Sequence, residues 1–181
     1  MGNFVHLHVH TEYSILDGAT KIAVAAKKAK ALGMPALAIT DHGNMYGAVN
    51  FFDACEKEGI KAIIGTEFYV CDDLTVKSGK AKLNHLVLLC KNEEGYKNIS
   101  LLNAIAFRDG FYYKPRIDLK TLEAHHEGLI CLSACLAGDI PQAILNRNFD
   151  EAERLVLWFK NLFGDDFYLE MQNHFLDEQL E

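Results

Sequence analysis

The sequence has no run of about 18 apolar residues, so it predicts no membrane-spanning helix. Its first residues, Met1-Gly2-Asn3-Phe4, lack the basic stretch and apolar core of a secretory leader. The five cysteines (Cys55, Cys71, Cys90, Cys131 and Cys135) are odd in number and have no framework spacing. A disulfide scaffold is therefore excluded, and a reducing, cytoplasmic location is expected. No internal repeat is visible. Half of the 181 residues are apolar and 24% are charged, which excludes a disordered chain and fits one globular domain. There is no excess of base: 18 Lys+Arg against 25 Asp+Glu give a net charge of −7. That imbalance is local. Residues 1–149 hold 16 acids and 16 bases, whereas residues 150–181 hold nine acids and two bases. An acidic chain is a poor general nucleic-acid binder, but the balanced first part leaves room for a local basic patch.

What is present is an alternation of short apolar runs with helical patterns. Strands are predicted over Phe4–Val9, Ala36–Ile39, Ile60–Ile64, Phe68–Cys71, Leu83–Cys90, Leu129–Ser133 and Phe167–Gln172. Helices are predicted over Thr20–Leu32, Tyr46–Glu58, Glu93–Phe107 and from Asp150, as N-cap, to Gly164. Asp118 caps a short helix, Pro141 suits the first turn of another, and Leu176–Glu181 reads as the start of a last one. Asp72–Lys82 is a polar loop. Apolar strands followed by helices predict a parallel α/β architecture, open or barrel, with its chemistry at the carboxyl ends of the strands.

Those ends carry a consistent residue set. The first strand gives His6, His8 and His10, which a period of two puts on one face. The second ends in Asp41-His42 and the third in Glu67. Imidazoles and carboxylates together suit Zn, Mn or Fe. Each alone is an ordinary hydrogen-bonded polar residue. Their accumulation on one sheet is costly unless they are paired or metallated.

The segments His8-Val9-His10-Thr11-Glu12-Tyr13-Ser14-Ile15-Leu16-Asp17-Gly18 and Ile39-Thr40-Asp41-His42-Gly43 resemble the PHP (polymerase and histidinol phosphatase) superfamily. Gly65-Thr66-Glu67-Phe68-Tyr69, His85-Leu86-Val87, Gly110–Asp118, Leu132–Gly138 and Tyr168–His174 extend the resemblance. More narrowly, the whole is similar to the N-terminal PHP domains of bacterial replicative polymerase alpha subunits. The resemblance implies a distorted (β/α)7 barrel holding up to three divalent ions, with Zn or Mn preferred and Mg allowed. The implied ligands are His8, His10, Asp17, His42, Glu67, His85 and Cys135, with His8, His10, His42 and Glu67 implied in catalysis. A thiolate at Cys135 favours Zn.

The family's last motif, an Asp-x-His pair, does not occur before Glu181. Residues 1–181 are therefore expected to be a PHP domain cut short of its last strand. Exposed strand edges and apolar surface would then favour self-association.

Around the ligands, His6 is read as a buried supporting residue. Asp41 either orients His42 or caps a turn, and His174 faces the mouth of the site. His85 opens a strand that a hairpin through residues 72–82 would bring beside Glu67. Arg108, Lys114 and Arg116, interleaved with Phe111, Tyr112 and Tyr113, form a cluster suited to phosphates and bases. Loop packing is the alternative for that cluster.

The activity implied is metal-dependent 3′–5′ exonuclease proofreading at a DNA 3′ end. The alternatives are a scaffold within the polymerase that docks a separate proofreading exonuclease, and a free-standing phosphatase acting on histidinol phosphate. The implied partners are the rest of the alpha subunit and other replicative subunits.

Overall fold

A computed structural model describes residues 4–79 and 83–179. Strands β1 (Ala36–Ile39), β2 (Lys61–Cys71), β3 (Asn84–Cys90), β5 (Leu129–Leu132) and β6 (Phe167–Tyr168) form one sheet in that order, with β4 (Arg116–Asp118) beside β2. Helices α1 (Ile22–Ala31), α2 (Ala48–Glu58), α3 (Glu93–Arg108), α4 (Leu119–Ala124), α5 (Asp139–Leu145) and α6 (Phe149–Phe163) connect them. The fold is α/β, as expected, and among the described residues the two edges of its sheet are not bonded to each other. No helix among the described residues is long and apolar enough to cross a membrane.

The pairing is mixed rather than parallel. β1, β4 and β6 run parallel to their neighbours, but β3 is antiparallel to both β2 and β5. The reason is the loop after Cys71, which makes a hairpin of β2 and β3. The two strands predicted at 60–64 and 68–71 are one strand, β2. It pairs with β1 over Lys61–Ile64 and with β3 over Gly65–Val70. Gly65 sits at that change of partner. A Cβ there would lie 2.6 Å from both the Leu88 carbonyl oxygen and Leu89.

The alternation of β2 and β3 divides the interior. Phe68, Val70, Leu86 and Leu88 face a core built with Ile99 and Leu102 of α3 and Phe159 of α6. The opposite face carries Glu67, Tyr69, His85 and Val87. A second core joins Ile22, Ala26 and Ala29 of α1 to Phe51 and Cys55 of α2 over Leu37 and Ile39. Cys55, Cys71 and Cys131 are buried and Cys90 is half-buried, consistent with core thiols.

Helix ends follow local chemistry. Asn92 caps α3 by accepting from Gly95 N–H, and Asp118 caps α4 by accepting from Thr121 N–H. The cap of α6 is Asn148, which accepts from Glu151 N–H; Asp150 lies in the first turn instead. Of the helix expected from Leu176, the described part is a 3-10 turn at Asp177–Gln179, and residues 180 and 181 lie outside the described residues. The loop expected over 72–82 is described as far as Gly79.

The segment Phe4–Val9 is not a regular strand. Ala38 N–H donates to the His6 carbonyl, whereas Thr40 N–H donates to the Val9 carbonyl. Two residues of β1 thus span three of this segment, which is a bulge. The bulge breaks the alternation that would have put three histidines on one face. His6 is exposed and meets Phe4 edge-on at 4.8 Å, so it does not support the site from beneath.

Candidate metal centre

Glu67 is the centre of the site. Its side chain is 1% exposed and lies against four imidazoles. His10 Nε2 stands 2.9 Å from Oε2 and His42 Nδ1 2.8 Å from Oε2. His8 Nε2 is 3.4 Å and His85 Nδ1 3.0 Å from Oε1. Asp17 closes the outer side, with Oδ2 at 2.8 Å from His42 Nε2 and 3.3 Å from His10 Nδ1.

Backbone pairing explains this convergence. Gly43 N–H donates to the Glu67 carbonyl and Glu67 N–H to the Asp41 carbonyl, so His42 and Glu67 are locked side by side. Glu67 therefore lies within β2 rather than at its end. Gly43 turns the chain with φ +60°, and a side chain there would meet Pro115. The β2–β3 hairpin sets His85 opposite Tyr69, which brings it to Glu67 as predicted. His85 N–H donates to the Ala137 carbonyl and so fixes the loop that carries Cys135. The Cys135 sulfur lies 3.7 Å from His85 Nδ1 and 3.9 Å from Glu67 Oε1, at the border of the cluster.

Asp41 does not touch the His42 ring. It is 1% exposed and accepts from Thr11 N–H, Thr11 Oγ1 and Ser14 Oγ. Ser14 Oγ in turn accepts from His42 N–H. Asp41 thus pins the loop that leads from His10 to Asp17.

The aromatic and basic cluster does not assemble. Arg116 is 1% exposed and donates to the carbonyls of Gly110, Leu74 and Val76, so it is a structural residue with no access to phosphate. Arg108 is exposed and held two-pronged by Asp109. Only Lys114 reaches the site, with its ammonium 5.1 Å above the Tyr69 ring. That ring stacks on His42 at 5.7 Å and meets His85 edge-on at 5.3 Å. His174 is exposed at the rim of the cavity, and its N–H donates to Gln179.

Sequence reasoning gave no site role to Tyr69, Glu170 or Gln172. Glu170 Oε1 accepts from His8 Nδ1 at 2.7 Å and from Gln172 Nε2 at 2.7 Å. The signal was available: Glu170 and Gln172 are polar residues spaced by two at the end of the strand predicted over Phe167–Gln172, as His8 and His10 are spaced by two along the first predicted segment.

The charges are strongly coupled. Burial pushes the Glu67 carboxyl up, but His10, His42, His8 and His85 outweigh this and hold it far below the usual carboxylate range. Burial disfavours charged His8, yet Glu170 and Glu67 raise it to about 10. His85, desolvated but beside Cys135 and Glu67, is raised to about 9. His42 is raised by Glu67 and Asp17 against its burial. Asp17, slightly desolvated, is lowered by His42 and His10.

Two features fit metal ligation better than ion pairing. His42 Nδ1 and Glu67 Oε2 are 2.8 Å apart and buried, yet neither has a hydrogen-bond partner. Two buried polar atoms in contact without a well-formed hydrogen bond are an arrangement that a shared cation would satisfy. The donors also form three overlapping groups: His8, His10 and Glu67; His10, Asp17 and His42; His42, Glu67 and His85. The atoms of each group lie within 4.8 Å of one another, and sharing His10, His42 and Glu67 suits adjacent divalent cations. The cluster opens into a cavity of about 1050 Å³.

DNA polymerase III subunit alpha of Borreliella burgdorferi is 50% identical over 180 residues, covering 97% of this chain and 16% of that protein. The subunit of the same name from Treponema pallidum is 48% identical over 182 residues, covering 98% of this chain and 16% of that one. The chain thus spans about a sixth of the length of these relatives. Among solved structures, an amidohydrolase from Chromobacterium violaceum aligns with a TM-score of 0.40 at 23% identity, over 57% of this chain and 34% of that one, too slight a likeness to bear on function. The family model for the PHP domain matches residues 6–174, which include every residue of the cluster, and the chain belongs to that family.

Proposed function

We propose that this chain is the greater part of the PHP domain of a bacterial replicative polymerase alpha subunit, and that it hydrolyses phosphodiesters at the 3′ end of DNA. The observation that carries the chemistry is the buried Glu67 carboxylate, gripped by four imidazoles with two of the facing donor atoms unpartnered. The relatives at 48–50% identity support the polymerase setting and argue against a free-standing phosphatase.

His8, His10, Asp17, His42, Glu67 and His85 would hold divalent ions, with Cys135 at their border; the thiolate and imidazoles favour Zn or Mn over Mg. Such ions supply Lewis acidity, lowering the pKa of water and drawing charge off phosphate oxygens. The protein's own residues do the rest. Glu67 fixes the histidines in one arrangement. Asp41 holds the loop that presents His10 and Asp17. Lys114, standing over Tyr69 beside His42, is the cation placed to receive the charge of a phosphodiester at the mouth. In the reaction a water oxygen bonds to phosphorus, the bond to the preceding 3′ oxygen breaks, and that oxygen takes up a proton.

The test is removal of a labelled 3′ nucleotide by a polypeptide carrying the domain, with Mn²⁺ or Zn²⁺. Alanine at both His10 and Glu67 is expected to abolish cleavage, and unchanged cleavage would overturn the reading. The scaffold reading rests on the exposed apolar tail, where Leu169 is 58%, Phe175 88% and Met171 95% exposed. This strip would be covered by the rest of the polymerase or by a docked proofreading exonuclease. A protein free of metal and inert, but stable, would favour it.

A further inference from the structure

We infer that Glu170 is a positioning residue that holds His8 with its proton on Nδ1 and turns the Nε2 lone pair into the ligand cluster. This rests on the reading of that cluster as a metal centre. Glu170 stands on the far side of the sheet opening from His8. It follows β6, one edge of the sheet, while His8 belongs to the segment that flanks β1 at the other. Among the described residues the backbones at these two edges exchange no hydrogen bond, and the Glu170–His8 contact spans the gap at 2.7 Å.

The carboxylate is itself held. Glu170 N–H donates to Ser133 Oγ at 2.8 Å, and Ser133 N–H donates to the Tyr168 carbonyl, which ties the residues after β6 to the end of β5. The Gln172 amide donates to Glu170 Oε1 at 2.7 Å and lies 3.3 Å from His8 Nδ1. A carboxylate oxygen accepts, and the Gln172 N–H is given to that same Oε1, so in the neutral imidazole the ring proton of His8 sits on Nδ1. That nitrogen donates to the carboxylate.

The other ring nitrogen then carries a lone pair. His8 Nε2 faces His10 Nε2 at 3.2 Å and Glu67 Oε1 at 3.4 Å. Three acceptors crowding one space are unfavourable alone and suited to a shared cation. The carboxylate on the outer nitrogen fixes tautomer and ring angle and raises the basicity of the inner one. Glu170 Oε2 is buried without a partner, so the contact is made through one oxygen only.

The test uses this chain with Zn²⁺ as probe, in wild type, Glu67→Ala and Glu170→Gln. Glu170→Gln keeps the shape but removes the carboxylate charge, and its amide can face His8 with either C=O or N–H, so the proton is no longer compelled to Nδ1. Expected are a Zn²⁺ affinity about 10–100-fold weaker than wild type and, by histidine ¹⁵N NMR of the metal-free protein at alkaline pH where His8 is neutral, a His8 proton no longer confined to Nδ1. Equal affinity with the proton retained on Nδ1 would overturn the inference. If Glu67→Ala binds Zn²⁺ as wild type does, the metal-centre reading fails, and the NMR arm still decides whether Glu170 sets the tautomer of His8. Should Glu170→Gln not fold, Gln172→Ala is expected to show a smaller loss of affinity in the same direction, and no change in affinity or tautomer would count against the role.

Discussion

At the scale of single residues, two arginines that look alike in sequence do opposite things. Arg116 satisfies three backbone carbonyls from a buried position, and a charged donor to each is worth more than a neutral one. Arg116→Ala is expected to cost about 3 kcal/mol or more in denaturant unfolding, whereas Arg108→Ala, at an exposed pair, should leave the unfolding midpoint essentially unchanged. The Lys114 side chain is the one of the three beside the ligands, so Lys114→Ala should weaken phosphodiester cleavage while leaving Zn²⁺ content unchanged. The histidines add a pH dependence. Despite burial, Glu170 and Glu67 raise His8 to about 10, and Cys135 and Glu67 raise His85 to about 9, against an ordinary histidine value of 6.5. Raised values mean that their contacts stabilise the metal-free fold fully below the unfolded value of 6.5, and that this contribution is lost as pH climbs through 9 to 10. A cation needs the neutral imidazoles, so Zn²⁺ binding at neutral pH is expected to release protons and to tighten as pH rises. Calorimetry in buffers of different ionisation heat measures that release.

At the scale of elements, the site depends on loops tied to strands. The chain from Thr11 to Ser14 is irregular and hangs on one buried carboxylate. Asp41→Ala leaves the Thr11 N–H and the hydroxyls of Thr11 and Ser14 without their acceptor, at about 1–3 kcal/mol for each group left unsatisfied. We expect a loss of about 3 kcal/mol or more in stability, with Zn²⁺ affinity falling because His10 and Asp17 lose their fixed spacing. Asp41→Asn, which can still accept, should recover part of both. The hairpin β2–β3 is the other determinant. Its antiparallel register places His85 at Glu67, and the Ala137 carbonyl bonded to His85 N–H brings Cys135 to the same edge.

For the whole molecule, the candidate ligands come from the segment before α1, the turn after β1, β2 and β3, with Glu170 reaching His8 from beyond β6. A cation bound among them staples elements distant in sequence and binds only the folded state. Zn²⁺ at about 100 times its Kd is expected to add about 2.7 kcal/mol, read as a melting temperature that rises with Zn²⁺ and falls with chelator. The exposed strip of Leu169, Met171 and Phe175 next to the free edge of β6 predicts a mass that increases with concentration in light scattering.

The sequence by itself determined the alternation of strands and helices and the candidate ligand residue types, because periodicity and donor chemistry are local properties. His8, His10, His42 and Glu67 were legible for that reason. His85 was legible through the polar loop that had to reverse the chain. What only the tertiary structure decided were matters of partners across space. The bulge opposite β1 sent His6 outward, since register depends on the neighbouring strand. Burial turned Arg116 into an internal brace, since nothing in the stretch from Arg108 to Arg116 says which cation faces the core. Glu170 met His8 across 162 positions, a contact set by how the two edges of the sheet approach each other.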